Sequence, residues 1–343
     1  MRALCTGNDQ EGHIMNIAIR TAPPQPLALE DQTIDAYEDL EPRWVNVPFK
    51  RPMQLLWDWN SLLQNATARV KDVRLAIVGL AMGWSCELGH ITVESLLQIL
   101  GFEHIWSSNY LTSALQHSAV SEPAHTFAHK AIKKDGQVCH IVCAVFKGTT
   151  TVADTITDLE SVSDGFLAAG TSCADALSTY VQGIEGATDA NTILFITGHS
   201  LGGAIANVVG RLTKDIAEDD QRFVYTYASP NYECGDDGKS DYVFPNFRTF
   251  TNVADVVPKM PERFAKIGIE YTYDRETLDA KQRARFDESY QYFRGVAFED
   301  DNDPIGLGVT QMSDPTAATA LRNHLAATYM SFIASELTDE QVS

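Results

Sequence analysis

Apolar positions outline the elements of this chain before any composition is counted. From residue 52 they recur at helical spacing through "PMQLLWDWNSLLQNATARVKDVRLAIVGLAMGW", and "ITVESLLQILG" predicts a second helix closed by Gly101. In "HTFAHKAIKKDGQVCHIVCAVFKGTT", two β-type runs flank the turn pair Asp135-Gly136, which predicts a hairpin ending on the strand "CHIVCAVF". Helical "FLAAGTSCADALSTYVQGIEG" follows, then the strand "TILFITG" and the helix "LGGAIANVVGRLTKDI". Strands are expected again in "RFVYTYAS", "FRTFTNV" and "FAKIGIEYTYD", and a last helix within "DPTAATALRNHLAATYMSFIASEL". Strands alternating with helices of this length predict an α/β fold, a mostly parallel sheet covered on both faces.

The pattern divides the chain near residue 50. Residues 1–50 are Pro-rich and acidic ("TAPPQPLALEDQTIDAYEDLEPRW"), which suggests a helical or extended arm, and residues 51–343 read as a single domain. A hydrophobic fraction of 44% is that of a globular protein with a sizeable core. The net charge of −20 argues against nucleic acid as a partner and against strong attraction to an anionic membrane surface. The longest apolar run, "LAIVGLAMGW", is about half a membrane span, so no integral membrane segment is expected. The opening "MRALCTGNDQEGHIMNIAIRTAPPQP" is polar and broken by charges and prolines, unlike a secretory signal, whether translation starts at Met1 or at Met15; a cytoplasmic location is expected. Six scattered cysteines, Cys5, Cys86, Cys139, Cys143, Cys173 and Cys234, form no C-x-x-C pair and read as free thiols. His125, His129, Cys139, His140 and Cys143 lie near one another in sequence, but not at zinc-site spacing, and "EDDNDP" lacks the Gly and distal Glu of a calcium loop. Neither a metal nor any other cofactor is expected.

The chemistry concentrates in "TILFITGHSLGGAIANVVG". Gly-x-Ser-x-Gly by itself is common, but here a buried strand enters it and a helix leaves it, the setting of a nucleophile elbow. Gly198, His199 and Gly202 frame the corner, and Ser200 is the candidate nucleophile. The N–H of Leu201 is a candidate oxyanion donor at the positive end of a helix. A serine hydroxyl needs a base, usually a histidine held by a carboxylate. Of nine histidines only His324 follows residue 200, and in an α/β-hydrolase the order is Ser, acid, His, so His324 is chosen by elimination. Asp255 stands just beyond the run "FRTFTNV", at the carboxyl end of a strand where catalytic groups gather, while the acids of "KDIAEDD", "CGDDGKSD" and "FEDDNDP" read as surface charge. The loop after "AVF" offers Gly148 for a turn and Thr149 as a second oxyanion donor, although three successive threonines also fit an ordinary loop.

With these motifs in order, the chain resembles the class 3 lipase family of the α/β-hydrolases over roughly residues 75–335. "AVFKGTTTVADTITDL" is similar to the family's oxyanion strand and lid, "DGFLAAG" to its Gly-Phe segment, "TGHSLGGAIAN" to its nucleophile motif, "YTYASPN" to the next strand, "NVADVVPKMP" to its acid loop and "NHLAATYM" to its His segment. The resemblance implies the α/β-hydrolase fold, Ser200, Asp255 and His324 as the triad, and Thr149 and Leu201 as oxyanion donors. Lys147 replaces the usual Arg, which keeps the charge but loses the planar fork. A lid is also implied. Val152, Ile156, Leu159 and Val162 make an apolar stripe that suits a lid or a fixed surface helix, and Leu278, Phe286, Tyr290 and Phe293 make another that suits a wall of the acyl site or a helix packed on the body.

The expected function is a serine carboxylic-ester hydrolase acting on acylglycerol esters, with a lipid or ester substrate and transient contact with a lipid interface. Two alternatives share its motifs: a carboxylesterase for short soluble esters and a phospholipase A1-type enzyme. A non-catalytic binding protein of the same fold is remote, because all five functional positions hold competent residue types. Acyl length, head group and oligomeric state are not readable.

Overall fold

The computed structural model describes residues 26–49, 53–63, 68–110, 123–148, 163–232, 244–262, 264–297, 319 and 322–337. Its centre is a sheet of eight strands: β1 (Ile34–Ala36), β4 (Glu103–Ser108), β5 (His125–Lys134), β6 (Gln137–Phe146), β7 (Thr192–His199), β8 (Arg222–Tyr227), β9 (Phe247–Asn252) and β10 (Ile269–Tyr273). β6 to β10 lie side by side in that order and all run parallel. β5 joins β6 antiparallel through the hairpin at Asp135-Gly136, whose residues both take positive φ, 52° and 80°, as a two-residue turn requires. The outer edge of β5 is shared end to end by β1, parallel, and β4, antiparallel. Lys130 on β5 reaches both neighbours, Asp35 at 2.8 Å and Glu103 at 3.0 Å.

Alternation along the strands divides the core into two layers. Ile193 and Phe195 of β7 face one layer with Ile141, Cys143 and Val145 of β6 and Tyr225 and Tyr227 of β8. Leu194 and Ile196 face the other with Val142, Ala144, Phe146 and Val224. With both faces buried these strands are apolar along most of their length, which is why "ILFI" reads as a continuous run, and the polar residues they do bury, such as Thr197 and Arg222, are hydrogen-bonded. The first layer is covered by α2 (Val73–Leu88), α3 (His90–Leu100), α6 (Ala280–Ala297) and α7 (Ala326–Ser335), and the second by α4 (Ser163–Gln182) and α5 (Leu201–Leu212). Asp72 caps α2 by accepting from Leu75 N at 3.0 Å, and Gly101 ends α3 in the left-handed conformation at φ 95°. Phe286 and Phe293 of α6 are buried, with Phe286 4.5 Å from Phe332 of α7 between ring centroids, so this segment is a helix packed on the body.

Two expectations need correction. Met53–Trp57 is not helical: it is β3, antiparallel to β2 (Arg43–Val47), and a short helix α1 (Asn60–Leu63) follows. Met53, Leu55 and Trp57 are buried and Gln54 is exposed, a period of two that five residues cannot distinguish from a helical stripe. The strand expected over 264–274 is confined to Ile269–Tyr273, because Gly268 at φ 90° breaks the extended run just before it. Cys86, Cys139, Cys143 and Cys173 are free thiols, and burial pushes those of Cys86 and Cys173 up to about 12. Cys5 and Cys234 lie outside the described residues. Among the described residues no helix is long and apolar enough to cross a membrane.

Candidate active site

β7 delivers the chain into the corner and α5 carries it away. Ser200 sits between them at φ 57°, ψ −128°, a conformation that side-chain-bearing residues rarely adopt and that clusters at functional sites. The surroundings hold it there: Ser200 N donates to Tyr227 O at 2.8 Å, and Ser200 O accepts from Gly203 N at 2.9 Å. The two glycines have no room for a side chain. A Cβ on Gly198 would lie 2.3 Å from Gly202 O, and one on Gly202 would lie 2.2 Å from Phe146 O. The pentapeptide is therefore a packing requirement between β7, α5 and the end of β6, and it leaves the serine side chain at the strand's carboxyl end. Leu201, the first residue of α5, has one of the N–H groups that a helix start leaves without an intrahelical acceptor.

Three segments far apart in sequence meet at this corner. His324 Nε2 lies 2.8 Å from Ser200 Oγ, and His324 Nδ1 lies 2.8 Å from Asp255 Oδ2. A neutral imidazole with its proton on Nδ1 donates to the carboxylate and accepts from the serine hydroxyl. All three side chains are buried, at 1%, 1% and 0% exposure for Ser200, His324 and Asp255, so their bonds act in low dielectric. Asp255 is itself held: Tyr329 Oη donates to Oδ2 at 2.8 Å and Val257 N donates to Oδ1 at 3.0 Å. Burial first, and then the neighbouring Asp255 charge, keep the Tyr329 hydroxyl well above the ordinary tyrosine range, which preserves it as a donor. Tyr329 Oη in turn accepts from Asn252 N at 3.1 Å.

His199, foreseen only as part of the elbow, has a further contact on each ring nitrogen. Its Nδ1 lies 2.7 Å from Glu87 Oε1 and its Nε2 donates to His324 O at 2.9 Å. Neither Glu87 nor Tyr329 was singled out from sequence. Tyr329 stands five residues after His324 inside the quoted "NHLAATYM" and could have been found there, but Glu87 is 112 residues from His199 on a helix with no local signal. Thr149 and the stripe Val152, Ile156, Leu159 and Val162 lie outside the described residues. Of the residues weighed and set aside for metal, His129 and His140 pair with each other, Nε2 to Nδ1 at 3.1 Å, in β5 and β6. Among the described residues no group of three or more His, Cys, Asp or Glu is placed to hold a metal ion.

Residues 137–265 match the family described as Lipase (class 3), a span that contains β6, the corner and the Asp255 loop. No curated protein matches the chain significantly. Among solved structures, the native propeptide complex of Rhizomucor miehei lipase aligns at 17% identity and TM-score 0.38 over 58% of this chain and 67% of its own. The nonglycosylated LIP2 lipase of Yarrowia lipolytica aligns at 18% and 0.34 over 62% of this chain and 79% of its own. The mostly parallel sheet with helices on both faces and the strand, serine, helix corner constitute an α/β-hydrolase fold.

Proposed function

We propose that this chain, which is similar to the class 3 lipases over residues 137–265, is a serine carboxylic-ester hydrolase that cleaves acylglycerol esters through an acyl-enzyme on Ser200. The observation that supports this best is the unbroken relay from Ser200 Oγ through His324 to Asp255, with both bonds at 2.8 Å. Ser200 Oγ attacks the ester carbonyl carbon while His324 Nε2 takes its proton. Asp255 holds the ring by its Nδ1–H and stabilises the imidazolium. The tetrahedral oxyanion is bound by the N–H of Leu201, with Thr149, outside the described residues, as the second donor that the family resemblance implies, and on collapse His324 returns the proton to the departing glycerol oxygen. Water, deprotonated by His324, then attacks the acyl carbon and releases the acid and free serine.

Hydrolysis of tributyrin, followed through its solubility limit, tests the substrate class. A jump in rate when the emulsion forms supports acylglycerol hydrolysis at an interface. Simple saturation in the dissolved range favours a carboxylesterase, and preference for a diacyl phospholipid in a head-group panel favours a phospholipase. The enzyme reading itself fails if Ser200→Ala hydrolyses as the wild type does and Ser200 resists a fluorophosphonate probe.

A further inference from the structure

The peptide that carries His324 is anchored at three successive carbonyls. Thr328 Oγ1 donates to Arg322 O at 2.7 Å, Asn252 Nδ2 to Asn323 O at 3.0 Å, and His199 Nε2 to His324 O at 2.9 Å. Leu325 then passes through extended backbone, φ −61° and ψ 141°, before α7 begins, so the Asn323 and His324 carbonyls stand outside the ladder of that helix. Two of the three donors are neutral. The third is an imidazole whose other nitrogen faces the Glu87 carboxylate at 2.7 Å.

We propose that Glu87 and His199 are a positioning pair for the base: Glu87 keeps His199 doubly protonated, and the charged His199 ring fixes the His324 carbonyl and thereby the alignment of the His324 ring on Ser200. This deepens, and rests on, the hydrolase reading above. The His324 carbonyl only accepts, so Nε2 carries a proton; on this proposal Glu87 is the accepting partner of the other nitrogen, so Nδ1 carries one as well. Burial draws the His199 pKa down, but the charge and hydrogen bond of Glu87, followed by Asp255 and the His324 carbonyl, outweigh it and leave it above the ordinary histidine range. The groups that face the His199 ring are Glu87 from α2, Asp255 beyond β9, and His324 and Tyr329, with ring centroids 5.1 Å and 6.0 Å away. A charge-assisted donor is about twice as strong as a neutral one, which makes His199 the firmest of the three anchors. At 5.1 Å an uncompensated His199 cation would oppose the imidazolium that forms on His324, and the Glu87 carboxylate offsets it.

The same carboxylate lies against Gly148, just beyond the end of β6. A Cβ on Gly148 would lie 2.5 Å from Glu87 Oε1, 2.7 Å from His199 O and 3.3 Å from Ser200 Cβ. With hydrogen in that place, Gly148, the elbow and Glu87 close on one another. One acid on α2 therefore sits where the base anchor, the serine and the end of β6 meet.

The test is a double-mutant cycle on purified full chain, with p-nitrophenyl butyrate as the probe. His199→Phe keeps the ring volume and removes both donors, and should lower kcat about 100-fold with KM within about twofold, the scale of a misaligned reacting group. Glu87→Gln should lower kcat roughly 3- to 10-fold, because a neutral His199 can still donate from Nε2. The double variant should be no worse than His199→Phe, since Glu87 acts through His199. Nitrogen-15 NMR of the wild type should show both His199 ring nitrogens protonated at neutral pH, and one unprotonated in Glu87→Gln. Single variants within twofold of wild type, losses that multiply in the double variant, or one unprotonated His199 nitrogen in the wild type would each overturn the proposal. If His199→Phe does not fold, the spectrum and Glu87→Gln decide it. A wild type that hydrolyses no ester sinks the hydrolase reading instead, and leaves the NMR result standing on its own.

Discussion

Two substitutions at Ser200 separate the strain of the corner from its chemistry. Ser200→Ala and Ser200→Gly both delete Oγ and its 2.8 Å bond to His324, so that loss cancels between them. Both keep the backbone bonds to Tyr227 O and from Gly203 N. They differ in Cβ. Alanine retains it at φ 57°, ψ −128°, where a side-chain-bearing residue costs about 1–3 kcal/mol, whereas glycine is free of that cost. Against this, glycine gains flexibility in the unfolded chain and forfeits roughly 0.5–1 kcal/mol. The balance predicts that Ser200→Gly is more stable than Ser200→Ala by about 1 kcal/mol while both are inactive. Urea unfolding of the two variants, compared by midpoint at equal slope, measures the difference directly. A glycine variant equal to or less stable than the alanine variant refutes the account of Ser200 as a strained residue held in place by its surroundings.

Tyr329→Phe removes a buried donor to Asp255 and leaves Asn252 N–H without its acceptor, so urea unfolding should show a loss of about 3 kcal/mol, while kcat falls less than tenfold because Asp255 keeps His324 and Val257. Gly202→Ala forces a methyl to within 2.2 Å of Phe146 O, and should cost several kcal/mol, read as a collapse of soluble yield or of the thermal midpoint. Burial lowers the His125 pKa to about 4, only partly opposed by its bond to Pro123 O, so the unfolded chain takes up the extra proton first. Stability from this site is complete above pH ~6.5 and declines by roughly 1 kcal/mol per pH unit from there to about pH 4, and in His125→Phe this acid limb should flatten in unfolding curves taken across that range. Asp255→Asn should reduce kcat by about 10⁴ with little change in KM, because the amide turns the His324 tautomer the wrong way.

What the sequence discloses and what it withholds follow from distance along the chain. The corner at Ser200 is legible because strand, turn and helix are contiguous, and each supplies a local pattern. Asp255 and His324 are legible for weaker reasons, one by its place after a strand and the other because no other histidine follows the serine. Glu87 and Tyr329 act through contacts 112 and 74 residues away, and a glutamate at the end of a buried helix looks like any surface acid until the fold brings it to His199. The edge of the sheet is hidden for a different reason: β1 is three residues long, too short for any periodicity. Met53–Trp57 misleads because its stripe, cut to five residues, satisfies both periods.

The separation of Ser200 from its base also orders events during synthesis. The serine and the helix behind it are made first, and His324 follows 124 residues later. At ~5–20 residues per second the ribosome needs roughly 6–25 s to cover that gap. Throughout that interval the growing polypeptide holds Ser200 without the imidazole that contacts it in the folded chain. On the proposed mechanism the threading of Ser200, Asp255 and His324 through the chain is a timer as well as a geometry, and ester-cleaving power would switch on only when nearly all of the sheet and its flanking helices exist to contain it.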